Sequence, residues 1–138
     1  MDEYRDRHEI ADVINRFATG IDRRDWSLFR AVFTEDCTVV MGDYGSFDGV
    51  DAIAAFEEAS HAQAGHTLHR MTNHVITLGG DHADARTYVD AWIMSPDNAT
   101  GINAIGYYDD ELVRTHAGWR IATRRFTQVR LSVSGAGD

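Results

Sequence analysis

Ile10, Val13, Ile14, Phe17, Ala18 and Ile21 recur three or four positions apart, the spacing of one face of an α-helix. They predict an amphipathic helix over about residues 4–19, with Gly20 as its stop. Asp25 is a good N-cap for a second, shorter helix that turns Trp26, Phe29, Val32 and Phe33 inward. CTVVMGD at 37–43 is a short β-rich run, and the GDYGSFDG around its end reads as loop. Asp48 or Asp51 starts a third helix, which carries Val50, Ile53 and Phe56 and ends near Gly65. Beyond Gly65 long strands follow at 67–78, 83–95 and 102–115, and a fourth in WRIATRRFTQVRL. Their connections are short, so they predict an antiparallel meander. The tail SVSGAGD reads as loose. Helices first and strands after predict a single α+β domain over 1–138, with three N-terminal helices on one face of a curved, mostly antiparallel sheet.

Composition narrows the partners. The net charge is −9, against binding to nucleic acid or an anionic membrane, both of which are held through basic patches. All 13 basic residues are Arg. Cys37 is the only cysteine, so the chain forms no internal disulfide and no Cys-rich metal site. MDEYRDRHEI has no apolar core for a signal peptide, and the apolar runs are too short for a bilayer span. A cytoplasmic location is the expectation.

The second long strand divides into two sets by alternation. Ala83, Ala85, Thr87, Val89, Ala91 and Ile93 are small or β-branched, as close packing requires. Asp84, Arg86, Tyr88, Asp90, Trp92 and Met94 are large and polar, like a pocket wall or an interface. Asp90 poses the question of what a mid-strand carboxylate is for. It is either salt-bridged to an arginine such as Arg124, exposed on the outer face, or functional. His69 lies on the neighbouring strand, with Met71, Asn73 and Val75 on its face. A histidine beside a carboxylate has the makings of a general base. His66, His69 and His74 cluster in sequence, but alternation sends 69 and 74 to opposite faces, so no metal site is expected.

GIDRRDW at 20–26, the AVFTEDC after it, FDGVDAI at 47–53, TLHRMTNHVITLGGDHADARTYV at 67–89 and AGWRIATRR at 117–125 occur in an order that resembles the SnoaL-like branch of the nuclear transport factor two-like superfamily. The resemblance implies a cone with a central pocket and, often, a homodimer through the outer sheet face. Its members include polyketide cyclases, dehydratases, ketosteroid isomerases, epoxide hydrolases and non-catalytic proteins, so it specifies shape more closely than chemistry. It implies His69, Asp90 and Asp22 as catalytic residues. Asp22 competes with a structural role as a helix cap, although Asp25 suits that role better. The dehydratases' tyrosine near the end of the first helix has no counterpart, because Phe17 and Ile21 lack a hydroxyl. Tyr44, Tyr88, Tyr107 and Tyr108 are the alternative donors.

The expected function is a cofactor-independent dehydratase, isomerase or cyclase acting on a small, largely apolar oxygenated ring compound. Tyr44, Tyr88, Trp92, Phe17, Asn73 and Tyr108 are the candidate substrate contacts. A non-catalytic binding or assembly module and an epoxide hydrolase remain the alternatives.

Overall fold

The computed structural model describes residues 2–134. The first helix, α1, is Glu3–Asp22, and the side chain of Asp2 caps it by accepting the Arg5 N–H at 3.1 Å. The helix runs through Gly20 instead of stopping there. A Cβ at Gly20 would stand 2.9 Å from the Phe29 amide nitrogen, so this glycine permits close packing of the next helix. The end of α1 is a Schellman motif. Arg24 N–H donates to the Ile21 carbonyl at 3.0 Å and Asp25 N–H to that of Gly20 at 2.8 Å. Arg24 holds the left-handed position usually given to glycine, with φ +56°. Its guanidinium donates to the carbonyls of Ile21 (2.9 Å) and Gly65 (3.0 Å) and to Thr67 Oγ1 (2.8 Å).

The second helix, α2, is Trp26–Arg30, capped by Asp25 as expected. Val32 and Phe33 are buried, but they lie beyond this helix, and Phe33 opens strand β1, Phe33–Val40. The loop that follows contains one 3-10 turn, Gly42–Tyr44, and a short strand β2, Ser46–Asp48. The third helix, α3, is Val50–His61, with Gly49 in the N-cap position in place of an aspartate. Four long strands follow: β3 Thr67–Gly79, β4 His82–Met94, β5 Gly101–Thr115 and β6 Gly118–Ser134. Residues 132–134 of the expected loose tail therefore extend the sheet, and 135–138 lie outside the described residues.

The sheet order is β2-β1-β6-β5-β4-β3. β3 to β6 form the expected antiparallel meander, and β1 adds to β6 in parallel. The small set on β4 faces the helices: Ala83, Ala85, Thr87, Val89 and Ala91 are all buried. The large set, including Tyr88, Asp90 and Trp92, faces outward. The reason is space: small side chains on the inner face let α1 pack close and leave a hollow in the core, which bulky residues would fill.

A bulge at Asn73, with φ +56°, shifts the register between Thr72 and Val75. Past it the alternation reverses, so His74 turns inward and Val75 outward, contrary to the unbroken alternation assumed from sequence. His74 Nδ1 lies 2.8 Å from Thr87 Oγ1 and Nε2 3.2 Å from Asn15 Oδ1, which ties α1 to the sheet. The core proper is a stack of Phe17, Phe29 and Phe33, with neighbouring ring centroids 5.3–6.2 Å apart. Beneath it Arg124 makes a bidentate, fully buried bond to Asp110 at 2.8 and 2.9 Å. Its guanidinium lies 4.3 Å from the Phe17 ring centre and 4.0 Å from that of Tyr108.

Arg24→Ala loses the guanidinium's hydrogen bonds and keeps the left-handed strain, so a loss of about 2–3 kcal/mol is expected in urea unfolding. Arg24→Gly loses the same bonds but relaxes the backbone, and is expected to retain about 1 kcal/mol more than the alanine variant.

Candidate active site

α1 ends on Asp22, which puts its carboxylate against the first residues of β3. Asp22 Oδ1 accepts from His69 Nδ1 at 2.8 Å and from Thr67 Oγ1 at 2.9 Å, and Oδ2 accepts the His69 backbone N–H at 2.9 Å. A carboxylate can only accept here, so the His69 proton sits on Nδ1 and Nε2 is the nitrogen available to the pocket. Burial alone would raise the Asp22 pKa, but the bonds from His69 and Thr67 outweigh it and hold the carboxyl below its ordinary range. Phe17 stands edge-on to the imidazole, with ring centroids 6.2 Å apart, and fixes its orientation from the helix side.

His69 opens on a cavity of about 360 Å³ between α1, α3 and the inner sheet face. Phe17, Ile21, Met41, Phe56, Val89 and Ala91 supply much of its apolar wall. Tyr108 lines it from β5, and Tyr44 stands at it with its hydroxyl donating to Gln128 Oε1 at 3.0 Å. Three of the expected substrate contacts, Phe17, Tyr44 and Tyr108, are thus at the cavity.

Asp90 is not. His69 pairs with Ala91 across the strands, and Asp90 pairs with Arg70 on the opposite face. The Asp90 carboxylate accepts from Asn103 Nδ2 at 2.7 Å and lies 3.8 Å from Arg70 Nη1, half-exposed. It bridges β3, β4 and β5 on the outer surface, and the expected His69–Asp90 pair does not form. The arginine suggested for it, Arg124, is bound to Asp110 inside the core. Tyr88 and Trp92 share Asp90's outer face, and Asn73 is the exposed bulge residue, so none of these three reaches the cavity. An epoxide-hydrolase arrangement would need Asp90 and Asp22 together, and the sheet stands between them.

Sequence reasoning missed two cavity groups on α3, Glu57 and His61. Each residue is only 5 % exposed. They follow Ile53 at four-residue intervals, so the apolar phase of the helix carried the signal. Burial pushes the Glu57 carboxyl up to about 7, against the pull of the His69 and Arg124 charges. His61 Nδ1 lies 2.9 Å from the Glu57 carbonyl oxygen, which can only accept, so this nitrogen carries the proton. Burial lowers the His61 pKa and favours the neutral ring. Its Nε2 is buried with no hydrogen-bond partner among the described residues. Among the described residues no helix is long and apolar enough to cross a membrane.

The model of the SnoaL-like domain matches residues 2–125. The Mycobacterium tuberculosis protein Rv2910c is 28% identical over 127 residues, covering 88% of this chain and 84% of that protein. A candidate aromatic ring hydroxylase from Novosphingobium aromaticivorans superposes with a TM-score of 0.88 at 27% identity, over 97% of this chain and 96% of its own. A candidate scytalone dehydratase from the same organism gives 0.84 at 21%, over 91% and 85%. The LinA-type3 hexachlorocyclohexane dehydrochlorinase from Novosphingobium barchaimii gives 0.79 at 15%, over 94% and 90%. The last two share the fold, and their names differ from each other and from the hydroxylase, so chemistry has to be read from the site.

The displaced Glu57 pKa makes stability depend on pH. Between its ordinary value of 4.5 and about 7 the unfolded chain releases this proton and the folded chain keeps it. The folded state then binds more protons, and this group's contribution falls as pH rises through that window. Glu57→Gln removes the effect. Its melting temperature relative to the parent chain is expected to be higher at pH 8 than at pH 5, read by differential scanning calorimetry.

Proposed function

We propose that this chain, which belongs to the SnoaL-like family, is a cofactor-independent lyase or isomerase that uses His69 as a general base on a small, largely apolar, oxygenated ring compound. The observation that carries this reading is the 2.8 Å bond from His69 Nδ1 to Asp22 Oδ1 at the wall of an apolar cavity. Asp22 fixes the tautomer that leaves Nε2 free and stabilises the imidazolium formed when Nε2 takes a proton. The hydrogen abstracted lies beside a carbonyl or another electron-withdrawing group. Loss of a neighbouring substituent makes the reaction an elimination, and return of the proton elsewhere makes it an isomerisation. Apolar walls exclude water and protect the carbanion-like intermediate. The dehydratase and dehydrochlorinase of like fold support an elimination.

The test uses neutral cyclic ketones, from cyclohexanone to 2-tetralone, in deuterium oxide, with exchange of the α-hydrogens followed by NMR. The chain is expected to accelerate exchange of at least one ketone over buffer. His69→Gln should return the rate to that of buffer, and Asp22→Asn should cut it by about 10²–10⁴-fold. Equal rates for the parent chain and His69→Gln with every ketone would overturn the proposal.

The same reading includes a homodimer through the outer sheet face. Tyr88 and Val129 stand exposed there, by 51% and 66%, near the Arg86–Asp109 ion pair. Light scattering is expected to give twice the chain mass, and Tyr88→Glu to shift it toward the monomer.

A further inference from the structure

We propose that Glu57 and His61 form a hydroxyl-binding site on the helical wall of the cavity, and that Glu57 is the acid that protonates a departing hydroxyl group. The inference rests on the His69 reading and extends it to the class of substrate: a neutral β-hydroxy carbonyl compound or a close analogue.

The argument starts from hydrogen-bond capacity. His61 has spent its Nδ1 proton on the Glu57 carbonyl and keeps at Nε2 a buried acceptor that has no partner among the described residues. An unmet acceptor at that depth is unfavourable and calls for a donor from whatever fills the cavity. The Glu57 side chain is also buried, with His61 Nδ1 3.5 Å from its Oε2. In its neutral form the carboxyl is a donor. One acceptor and one donor, a helical turn apart, match a hydroxyl group, which offers both. A substrate carboxylate could accept from the neutral Glu57 carboxyl but brings no donor for His61 Nε2, so the pair favours a hydroxyl.

Position then connects this pair to His69. The His61 and His69 rings are 6.0 Å apart between centroids. Two hydrogen bonds of about 3 Å each to neighbouring atoms of one small molecule span that gap. The groups that set the protonation of Glu57 come from every element around it. His69 on β3 and Arg124 on β6 pull its carboxyl down and burial raises it, while Tyr108 on β5 and His61 on its own helix face it as neutral groups, and Asp22 and Asp110 pair with His69 and Arg124. Arg124 is paired with Asp110 and His69 with Asp22, and burial of Glu57 outweighs the pull that remains from both.

The resulting dehydration balances. His69 Nε2 takes the proton from the carbon next to the carbonyl, and the electron pair of that bond becomes the new C=C. The C–O bond at the adjacent carbon breaks with its pair going to oxygen, and Glu57 gives that oxygen its proton. Water leaves. Imidazolium and carboxylate remain, and passage of one proton from His69 to Glu57, through the product water, restores both.

The test separates binding from turnover. Affinities for 2-naphthol and naphthalene are measured by calorimetry between pH 6 and pH 8, on variants shown to be folded by their melting curves. The parent chain is expected to prefer 2-naphthol by about tenfold or more at pH 6 and to lose the preference as pH rises and Glu57 ionises. Glu57→Leu and His61→Phe should abolish the preference, and Glu57→Gln, which keeps a donor and cannot ionise, should flatten its pH dependence. Equal binding of the two probes by the parent chain overturns the proposal. So does a preference that survives both Glu57→Leu and His61→Phe. If that occurs while His69→Gln still loses ketone exchange, the His69 reading stands without this one. If His69→Gln keeps ketone exchange, the base assignment falls, and the hydroxyl site is judged on naphthol binding alone.

Discussion

The bond between Asp22 and His69 organises the molecule as well as the pocket. An anion at the C-terminal end of a helix meets the negative end of the helix dipole, and burial adds to its cost. Asp22 is kept ionised there because three donors converge on it from β3. Arg24 completes the arrangement from the other side by covering the last carbonyls of α1 and reaching the start of β3 through Gly65 and Thr67. Thr67 Oγ1 belongs to both networks, since it accepts from Arg24 and donates to Asp22. The junction of helix and sheet is therefore the place where the base is aimed. Few of the large side chains lining the cavity bear on that aim; the α1 turn does.

The layout of elements was legible in the sequence because periodicity reports it directly. The change from a 3.6-residue to a 2-residue rhythm after Gly65 separates helices from sheet, and the short turns allow little but a meander. What periodicity cannot say is which face of a strand points inward. The large, aromatic set containing Tyr88, Asp90 and Trp92 resembled a pocket wall, yet a hollow core needs small residues behind it, and the alanines of β4 took that face. Asp90 was lost for this reason. Asn73 hid a second reversal, because one residue in left-handed conformation changes the phase of every position after it. His69 lies before the bulge, so its inward placement agrees with simple alternation.

Glu57 and His61 illustrate the opposite failure. Their four-residue spacing from Ile53 was plain, but polar residues on a helix are usually assigned to solvent, and the sequence does not show that α3 closes a cavity. Once the helix packs, the same geometry that buries Ile53 and Ala54 buries the carboxyl and the imidazole.

The two carboxyl groups of the site, Asp22 behind His69 and Glu57 on the cavity wall, then differ by environment alone. Asp22 meets three donors and remains an anion; Glu57 meets apolar surface and a neutral histidine and is driven toward the neutral acid. Groups of one chemical type, pushed in opposite directions at one site, are the condition under which proton removal and proton delivery can occur at the same pH. A pocket with both carboxyls ionised would repel the electron density that develops on a departing oxygen, and one with both neutral would leave His69 without the anion that stabilises its charged form. The difference between them is set at the end of one helix and on one face of another, by hydrogen bonding at Asp22 and by burial at Glu57.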